Sequence, residues 1–125
     1  MRIPGLSQVI GVALALTACA TAAVVPFAKP SELAGTWQGV ATGRSGRAFA
    51  SLVIKEDGIF TGTMYLDGGD DQEFSGIITV VRPGQARYRG SEGFGRIVLL
   101  EQEGKRSLRF QPDGGGVASV YVPSP

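Results

Sequence analysis

Histidine is absent from the 125 residues of this chain, and cysteine and tryptophan each occur once. Without histidine the chain lacks the commonest general base and the commonest metal ligand. A single cysteine excludes an internal disulfide and a zinc site built from several thiolates. The 12 Lys and Arg residues are balanced by 11 Asp and Glu residues, so the basic footprint of a nucleic-acid-binding protein is missing. A chain of this length forms one small domain.

Sequence motifs of common active sites are missing as well. The turn-like segment 43–46 contains a serine but lacks the Gly-x-Ser-x-Gly spacing of a nucleophile elbow. The glycines after Asp113 are not followed by the Lys-Ser/Thr pair of a phosphate-binding loop. We therefore predict no enzyme activity and no cofactor. A Ser–Lys site or a pair of carboxylates stays open as an alternative, because spacing along the chain does not show which residues meet in the fold.

The start of the chain has the pattern of an export signal. Arg2 precedes an apolar run at residues 9–16, which ends in the small residues 17–20. This order is typical of a secretory signal peptide. The run is far shorter than the ~20 residues that a membrane-spanning helix needs. We assign residues 1–18 to a signal peptide outside the folded domain.

Residues 16–19, Leu-Thr-Ala-Cys, resemble the lipobox of bacterial lipoproteins. The resemblance implies that Cys19 becomes the mature N-terminus and carries fatty acids such as palmitate. Two or more acyl chains hold a protein durably on a membrane. Because Ala20 replaces the aspartate that usually signals inner-membrane retention, the resemblance implies the periplasmic face of the outer membrane of a Gram-negative cell. The alternative is a soluble periplasmic or secreted protein that is cleaved after Ala20 or Ala22.

Residues 19–32 contain two prolines and few polar residues, which predicts a semi-rigid tether between the lipid and a domain at residues 33–125. Residues 31–34 form either one helical turn capped by Ser31 or a coil. Removing residues 1–18 takes away one basic residue, Arg2, so basic and acidic residues balance in the mature chain. Long-range steering of charged partners is therefore not expected.

From Thr36 onward, apolar and polar residues alternate, and Gly-rich turns separate the alternating segments. Asp-Gly and Glu-Gly turns between such segments are strong hairpin signals. We predict an all-β fold, a small antiparallel eight-stranded up-and-down barrel, with an open β-sandwich as the alternative. The predicted strands are residues 36–42, 47–55, 59–66, 73–81, 85–90, 94–102, 106–111 and 116–122.

A barrel with such short strands has an interior that side chains can fill. We expect a packed core rather than a ligand cavity. The predicted core residues are Phe49, Phe60, Met64, Phe74, Phe94, Leu100, Phe110 and Tyr121.

Gly35-Thr36-Trp37 resembles the Gly-x-Trp opening of lipocalin-like barrels. The resemblance implies that Trp37 closes one barrel end beneath an arginine of a late strand, Arg109 or else Arg106, through a cation–π contact. Alternatively, Trp37 is an ordinary core residue. The segments Ala34-Gly35-Thr36-Trp37 and 115–121 are also similar to the opening and final strand of envelope barrels that inhibit secreted metalloproteases. That family usually carries a cysteine pair inside the barrel, which this chain lacks.

Two charged clusters have two interpretations each. Residues 67–73 hold four carboxylates, which suit either a calcium ion or a solvated hairpin tip. Arg82, Arg87, Arg89 and Arg96 form either a basic face for anionic headgroups or ordinary cross-strand pairs. In the second interpretation, the nearby Glu92, Glu101 and Glu103 neutralise the arginines.

The sequence thus predicts a non-catalytic cell-envelope lipoprotein whose small β-barrel acts by surface binding or as a structural module. Its expected partners are the membrane, through the N-terminal lipid, and an envelope protein. Two alternatives are an inhibitor of exported proteases, which would use the tether or the barrel rim, and a carrier of a small apolar ligand.

Overall fold

Nine strands and one short 3₁₀ helix make up the regular structure of residues 21–125, the part of the chain that the computed structural model describes. The helix spans Pro30–Leu33. The strands are β1 (Ala23–Val24), β2 (Gly35–Gly43), β3 (Gly46–Ile54), β4 (Ile59–Tyr65), β5 (Gln72–Arg82), β6 (Gln85–Gly90), β7 (Gly93–Gln102), β8 (Lys105–Pro112) and β9 (Ser119–Pro123).

Strands β2 to β9 form a closed antiparallel barrel of eight strands, which confirms the predicted fold and excludes the open sandwich. Each strand pairs with its neighbour in sequence, and β9 returns to pair with β2, where Val40 lies opposite Val120. Closure leaves no unpaired barrel edge to template aggregation. Seven predicted strands match β2 to β8 to within one residue at each end, whereas β9 begins three residues later than predicted, at Ser119.

The up-and-down topology gives the barrel two distinct ends. The closed end is where β2 begins, and it holds the turns at residues 55–58, 83–84 and 103–104. The mouth is the opposite end, and it holds the turns at residues 44–45, 66–71, 91–92 and 113–118.

Alternation along the strands decides which residues reach the core. On β3, Ala50, Leu52 and Ile54 are buried, while Phe49, which comes just before Ala50 and points to the other face, is 53% exposed. Phe94 on β7 is 58% exposed for the same reason, because its inward-facing neighbours are Gly95 and Ile97. The core prediction is therefore wrong for these two phenylalanines, and Leu100 is only half-buried. The other predicted core residues, Phe60, Met64, Phe74, Phe110 and Tyr121, are buried.

The N-terminal segment packs on the barrel from Ala23 onward instead of forming a spacer up to residue 32. Ala23 pairs with Glu101 of β7, and the Val25 amide donates to the Leu99 carbonyl at 2.8 Å. Phe27 and Leu33 are buried in the core. Two large apolar side chains in so short a segment favour packing over an extended, solvated tether.

The 3₁₀ helix is held by a carboxylate at its start. The Glu32 carboxylate accepts hydrogen bonds from the backbone amides of Ala28, at 2.8 Å, and Lys29, at 3.2 Å. Pro30 occupies the first helical position, where a missing amide hydrogen costs nothing. Of the two alternatives for residues 31–34, the structure has the helical turn, at Pro30–Leu33, and Glu32 rather than Ser31 supplies its cap.

Candidate functional site

The closed end of the barrel is built around Trp37. The indole is buried, and its Nε1 donates to the Leu33 carbonyl at 2.9 Å, which ties β2 to the 3₁₀ helix. Arg109 is exposed on the outer face of β8, between the buried Leu108 and Phe110. The sheet therefore separates Arg109 from Trp37, and the structure does not bring the predicted pair together. Arg106, the alternative partner, lies at the start of β8 by the closed end, on the strand face of Leu108 and Phe110; its side chain is exposed and lies opposite Glu101 on β7.

Aromatic rings fill the barrel interior. The Phe110 ring centroid lies 5.4 Å from that of Phe60, 4.9 Å from that of Tyr88 and 5.4 Å from that of Tyr121. The space that remains beneath the mouth is about 50 Å³. Pockets for drug-sized ligands measure roughly 300–1,000 Å³, so this cavity does not admit a fatty acid or a cofactor.

A network around Glu92 spans the mouth. Its carboxylate accepts hydrogen bonds from the Arg44 amide at 3.0 Å and from Gln72 Nε2 at 2.9 Å. The Arg44 guanidinium lies 3.9 Å from the same carboxylate, and the Glu92 side chain is only 15% exposed. Ser119 Oγ accepts from the Thr42 amide at 2.9 Å. These contacts join strands far apart in sequence, so sequence spacing gave no sign of them.

Two tyrosines of the barrel interior, Tyr88 and Tyr121, have raised pKa values. Burial raises the pKa of Tyr121, and a hydrogen bond with Ser119 opposes this shift. Burial also raises the pKa of Tyr88, with a further contribution from the Asp113 carboxylate. Both pKa values move away from neutrality, so neither hydroxyl gains the character of a general base at neutral pH.

A cluster of arginines lies on the outer face of β6, β7 and β8. Arg87 and Arg96 are directly opposite each other across β6 and β7, and Arg89 on β6 lies opposite Phe94. Arg109 is opposite Val98, one diagonal step from Arg96. We call Arg87, Arg89, Arg96 and Arg109 the arginine wall.

The arginine wall agrees only in part with the predicted basic face. Arg87, Arg89 and Arg96 are brought together as expected, whereas Arg82 lies at the end of β5, by the closed end. Arg109 joins the cluster instead. Alternation with the apolar Leu108 and Phe110 already indicates that Arg109 faces outward.

Most of the arginine wall has no counter-charge. Arg87 forms an ion pair with Asp113, and within residues 21–125 Arg89, Arg96 and Arg109 form none. Like charges directly opposite each other on neighbouring strands, as Arg87 and Arg96 are, are destabilising.

The glutamates expected to neutralise the arginines lie elsewhere. Glu92 is held in the mouth network. Glu101 lies opposite Arg106, and Glu103 is in the turn between β7 and β8. The cluster therefore concentrates positive charge on one side of the barrel.

Charge is segregated over the surface even though it balances in sum. The mouth carries six carboxylates, on Asp67, Asp70, Asp71, Glu73, Glu92 and Asp113, against two arginines, Arg44 and Arg47. The closed end balances Lys29, Lys55, Arg82, Lys105 and Arg106 against Glu32, Glu56, Asp57, Glu101 and Glu103. The excess of positive charge is therefore on the arginine wall and the excess of negative charge at the mouth.

The acidic segment 67–73 forms the turn between β4 and β5 and the start of β5. Gly68 takes a positive φ of 65°, which a tight turn favours. In residues 21–125, no three His, Cys, Asp or Glu side chains are grouped so that they could hold a metal ion.

Exposed aromatic residues lie on two opposite walls of the barrel. Phe94 on β7 belongs to the side of the arginine wall, and Ile77 of β5, 43% exposed, lies beyond Arg89 in the same row. Phe49 on β3 stacks on Tyr65 with a centroid distance of 6.0 Å. Strands β3 and β7 are four places apart in the eight-stranded ring, so the two phenylalanines face opposite directions.

Comparisons with protein families, curated proteins and solved structures found no match to this chain. Cys19, the predicted lipidation site, lies outside the described residues. Over residues 21–125, no helix is long and apolar enough to cross a bilayer.

Proposed function

We propose that this chain is a non-catalytic cell-envelope lipoprotein, held on the membrane through Cys19, whose barrel acts by contact through its outer surface. The observation that carries the proposal is the contrast between inside and outside. The interior is filled by side chains and leaves about 50 Å³, whereas the outer surface carries segregated charge and exposed aromatic residues. Residues 16–19 support the anchor through their resemblance to a lipobox.

An inhibitor of exported proteases is the second candidate. An inhibitory wedge made from the tether receives little support, because residues 23–33 pack on the barrel through Phe27 and Leu33. The mouth turns at residues 66–71 and 113–118 remain available as an inhibitory rim. A carrier of small apolar ligands receives less support, since its ligand would need several times the cavity volume present.

The proposed lipid anchor is tested by replacing Cys19, whose sulfur would carry acyl chains. Wild type and Cys19→Ser are expressed in a Gram-negative host, with Ala20→Ser as the matched control, and membrane and soluble fractions are compared. We expect wild type and Ala20→Ser in the membrane fraction with acylated N-termini, and Cys19→Ser without acylation. Identical N-terminal processing of all three proteins would contradict the anchor.

The mode of action is tested with two binding assays on the purified chain. Apolar fluorescent probes should leave Trp37 emission unchanged if the barrel is filled. Exported proteases should keep their turnover at a stoichiometric concentration of the chain. A saturable change in Trp37 emission would favour the carrier, and stoichiometric inhibition would favour the inhibitor; either result would contradict the proposed mode of action.

A further inference from the structure

We infer that the arginine wall docks side-on on the anionic phospholipid headgroups of the bilayer, so that the acidic turn at residues 66–71 stays off the lipid surface. The inference rests on the proposed function for the anchor at Cys19. It adds an orientation and names the lipid class that the barrel contacts.

The path of the chain gives the first argument. Ala23 is paired with Glu101 on β7, the middle strand of the arginine wall. Only residues 20–22 separate Cys19 from this fixed point, so the connection reaches at most about 14 Å. β7 itself is about 33 Å long at ~3.3 Å per residue for its ten residues. An acylated Cys19 therefore holds the β7 side of the barrel close to the lipid surface.

The direction of the chain gives the second argument. β1 is antiparallel to β7, and β7 runs from the mouth to the closed end. Residues before Ala23 therefore leave the barrel beside the closed end. The connection approaches the membrane from the end farthest from the acidic mouth.

Charge complementarity gives the third argument. Basic residues are attracted to an anionic lipid surface, and the attraction falls off within a Debye length. Arg89, Arg96 and Arg109 are exposed and have no ion-pair partner within the described part of the chain. The acidic segment 67–73, which carries four of the mouth carboxylates, is repelled by the same surface, whereas Asp113 is paired with Arg87. Attraction at the wall and repulsion of the acidic segment favour one orientation.

The exposed apolar residues of the same wall fit this orientation. Phe94 is 58% exposed and lies directly opposite Arg89, with Ile77 on the far side of Arg89. An aromatic ring beside cationic side chains suits the boundary between headgroups and acyl chains, where amphipathic surfaces bind. Phe49, on the opposite wall at β3, has Val40 and Tyr65 directly beside it in its row. The basic residue nearest to it on β3 is Arg47, whose guanidinium donates to Thr42 at the mouth.

A pair of matched tryptophan variants tests the orientation. Phe94→Trp reports from the arginine wall and Phe49→Trp from the opposite wall, and both native rings are similarly exposed. Trp37 is buried and common to all variants, so wild type supplies the background signal. The full mature chain is reconstituted into vesicles of phosphatidylglycerol and phosphatidylcholine whose acyl chains carry bromine, a short-range fluorescence quencher.

We expect quenching of Phe94→Trp and little quenching of Phe49→Trp. Vesicles of phosphatidylcholine alone, or high salt, should reduce the difference. Arg96→Glu, introduced as a second substitution into both tryptophan variants, should abolish the difference in quenching. Lys55→Glu, the same charge change in the turn between β3 and β4, should leave the difference in place. Equal quenching at the two positions, or quenching that is insensitive to lipid charge, would overturn the inference.

The result remains interpretable whether or not the anchor is present. If mass spectrometry shows no acyl chain, the proposed anchor fails, and the same chain is tested for sedimentation with phosphatidylglycerol vesicles. The arginine wall then predicts salt-sensitive binding that Arg96→Glu weakens roughly fivefold or more and Lys55→Glu weakens less. Failure of this binding would overturn the docking inference by itself. Conversely, if the chain is acylated but Phe94→Trp and Phe49→Trp are quenched equally, the proposed anchor stands and the docking inference is overturned.

Discussion

The closed end and the mouth of the barrel are sealed by different chemistry. At the closed end, Phe27 and Leu33 from the segment before β2 are buried in the same apolar core as Trp37, and the Leu33 carbonyl accepts a hydrogen bond from the indole. At the mouth, one carboxylate, that of Glu92, bridges Arg44 and Gln72 across the opening. Burial of apolar surface contributes more free energy than a few hydrogen bonds, so the closed end should dominate stability. The mouth is left free to carry the acidic surface.

Truncation at the closed end should have the largest effect. Phe27→Ala removes a buried ring and should lower the free energy of unfolding by about 3–5 kcal/mol. The exposed Phe94→Ala is the matched control and should stay within about 0.5 kcal/mol of wild type. Urea unfolding of both variants measures the difference. If Phe27→Ala costs no more than Phe94→Ala, the N-terminal segment is not part of the stable barrel.

The mouth should respond less strongly to the loss of its central group. Glu92→Ala leaves the Arg44 amide and Gln72 without their acceptor and should cost about 1–3 kcal/mol. Glu92→Gln keeps part of the network and should cost less. Glu73→Ala, an exposed carboxylate at the same end, is the control. An effect of Glu92→Ala equal to that of Phe27→Ala would break the contrast between the two ends.

Alkaline pH should lower the free energy of unfolding because Tyr121, on the mouth side of the barrel interior, resists ionisation in the folded chain. Its pKa is raised by burial in the folded state, whereas an unfolded tyrosine ionises near pH ~10. The folded chain therefore binds more protons than the unfolded chain above that pH, and stability should fall by up to about 1.4 kcal/mol per pH unit.

Urea unfolding between neutral and strongly alkaline pH measures this loss. Tyr121→Phe should flatten the alkaline decline, while Tyr65→Phe, on the exposed outer face, should leave it in place. A decline that is unchanged in Tyr121→Phe would show that other groups control alkaline stability.

The smallest expected effect concerns the helix cap at the closed end. Glu32, like Glu92, accepts two hydrogen bonds, but its bonds to the Ala28 and Lys29 amides are exposed. Glu32→Ala should cost about 0.5–1 kcal/mol, less than Glu92→Ala. Thermal unfolding of the two variants side by side tests whether burial, rather than the number of hydrogen bonds, sets the cost.

Sequence periodicity predicted most of the barrel because strand alternation and turn chemistry are local. The same alternation contradicts the choice of Phe49 and Phe94 as core residues, since size alone does not put an aromatic ring inside. The two-residue strand β1 has no period to detect, and its pairing with β7 depends on contacts across more than seventy residues.

The surface was less predictable for a similar reason. Ion pairing of Arg87 with Asp113 joins residues that are 26 positions apart, and Glu92 reaches Arg44 across 48. Balanced total charge gave no sign that carboxylates gather at the mouth while arginines gather on β6 to β8. Only the closed topology reveals which charged residues share a wall.

The intact mass of the mature chain, purified from membranes, tests the central claim that lipid at Cys19 places this barrel in the cell envelope. The account predicts a chain that begins at Cys19 and carries the added mass of diacylglycerol and an amide-linked fatty acid. A chain that begins at another residue, or that carries no acyl mass, would contradict it.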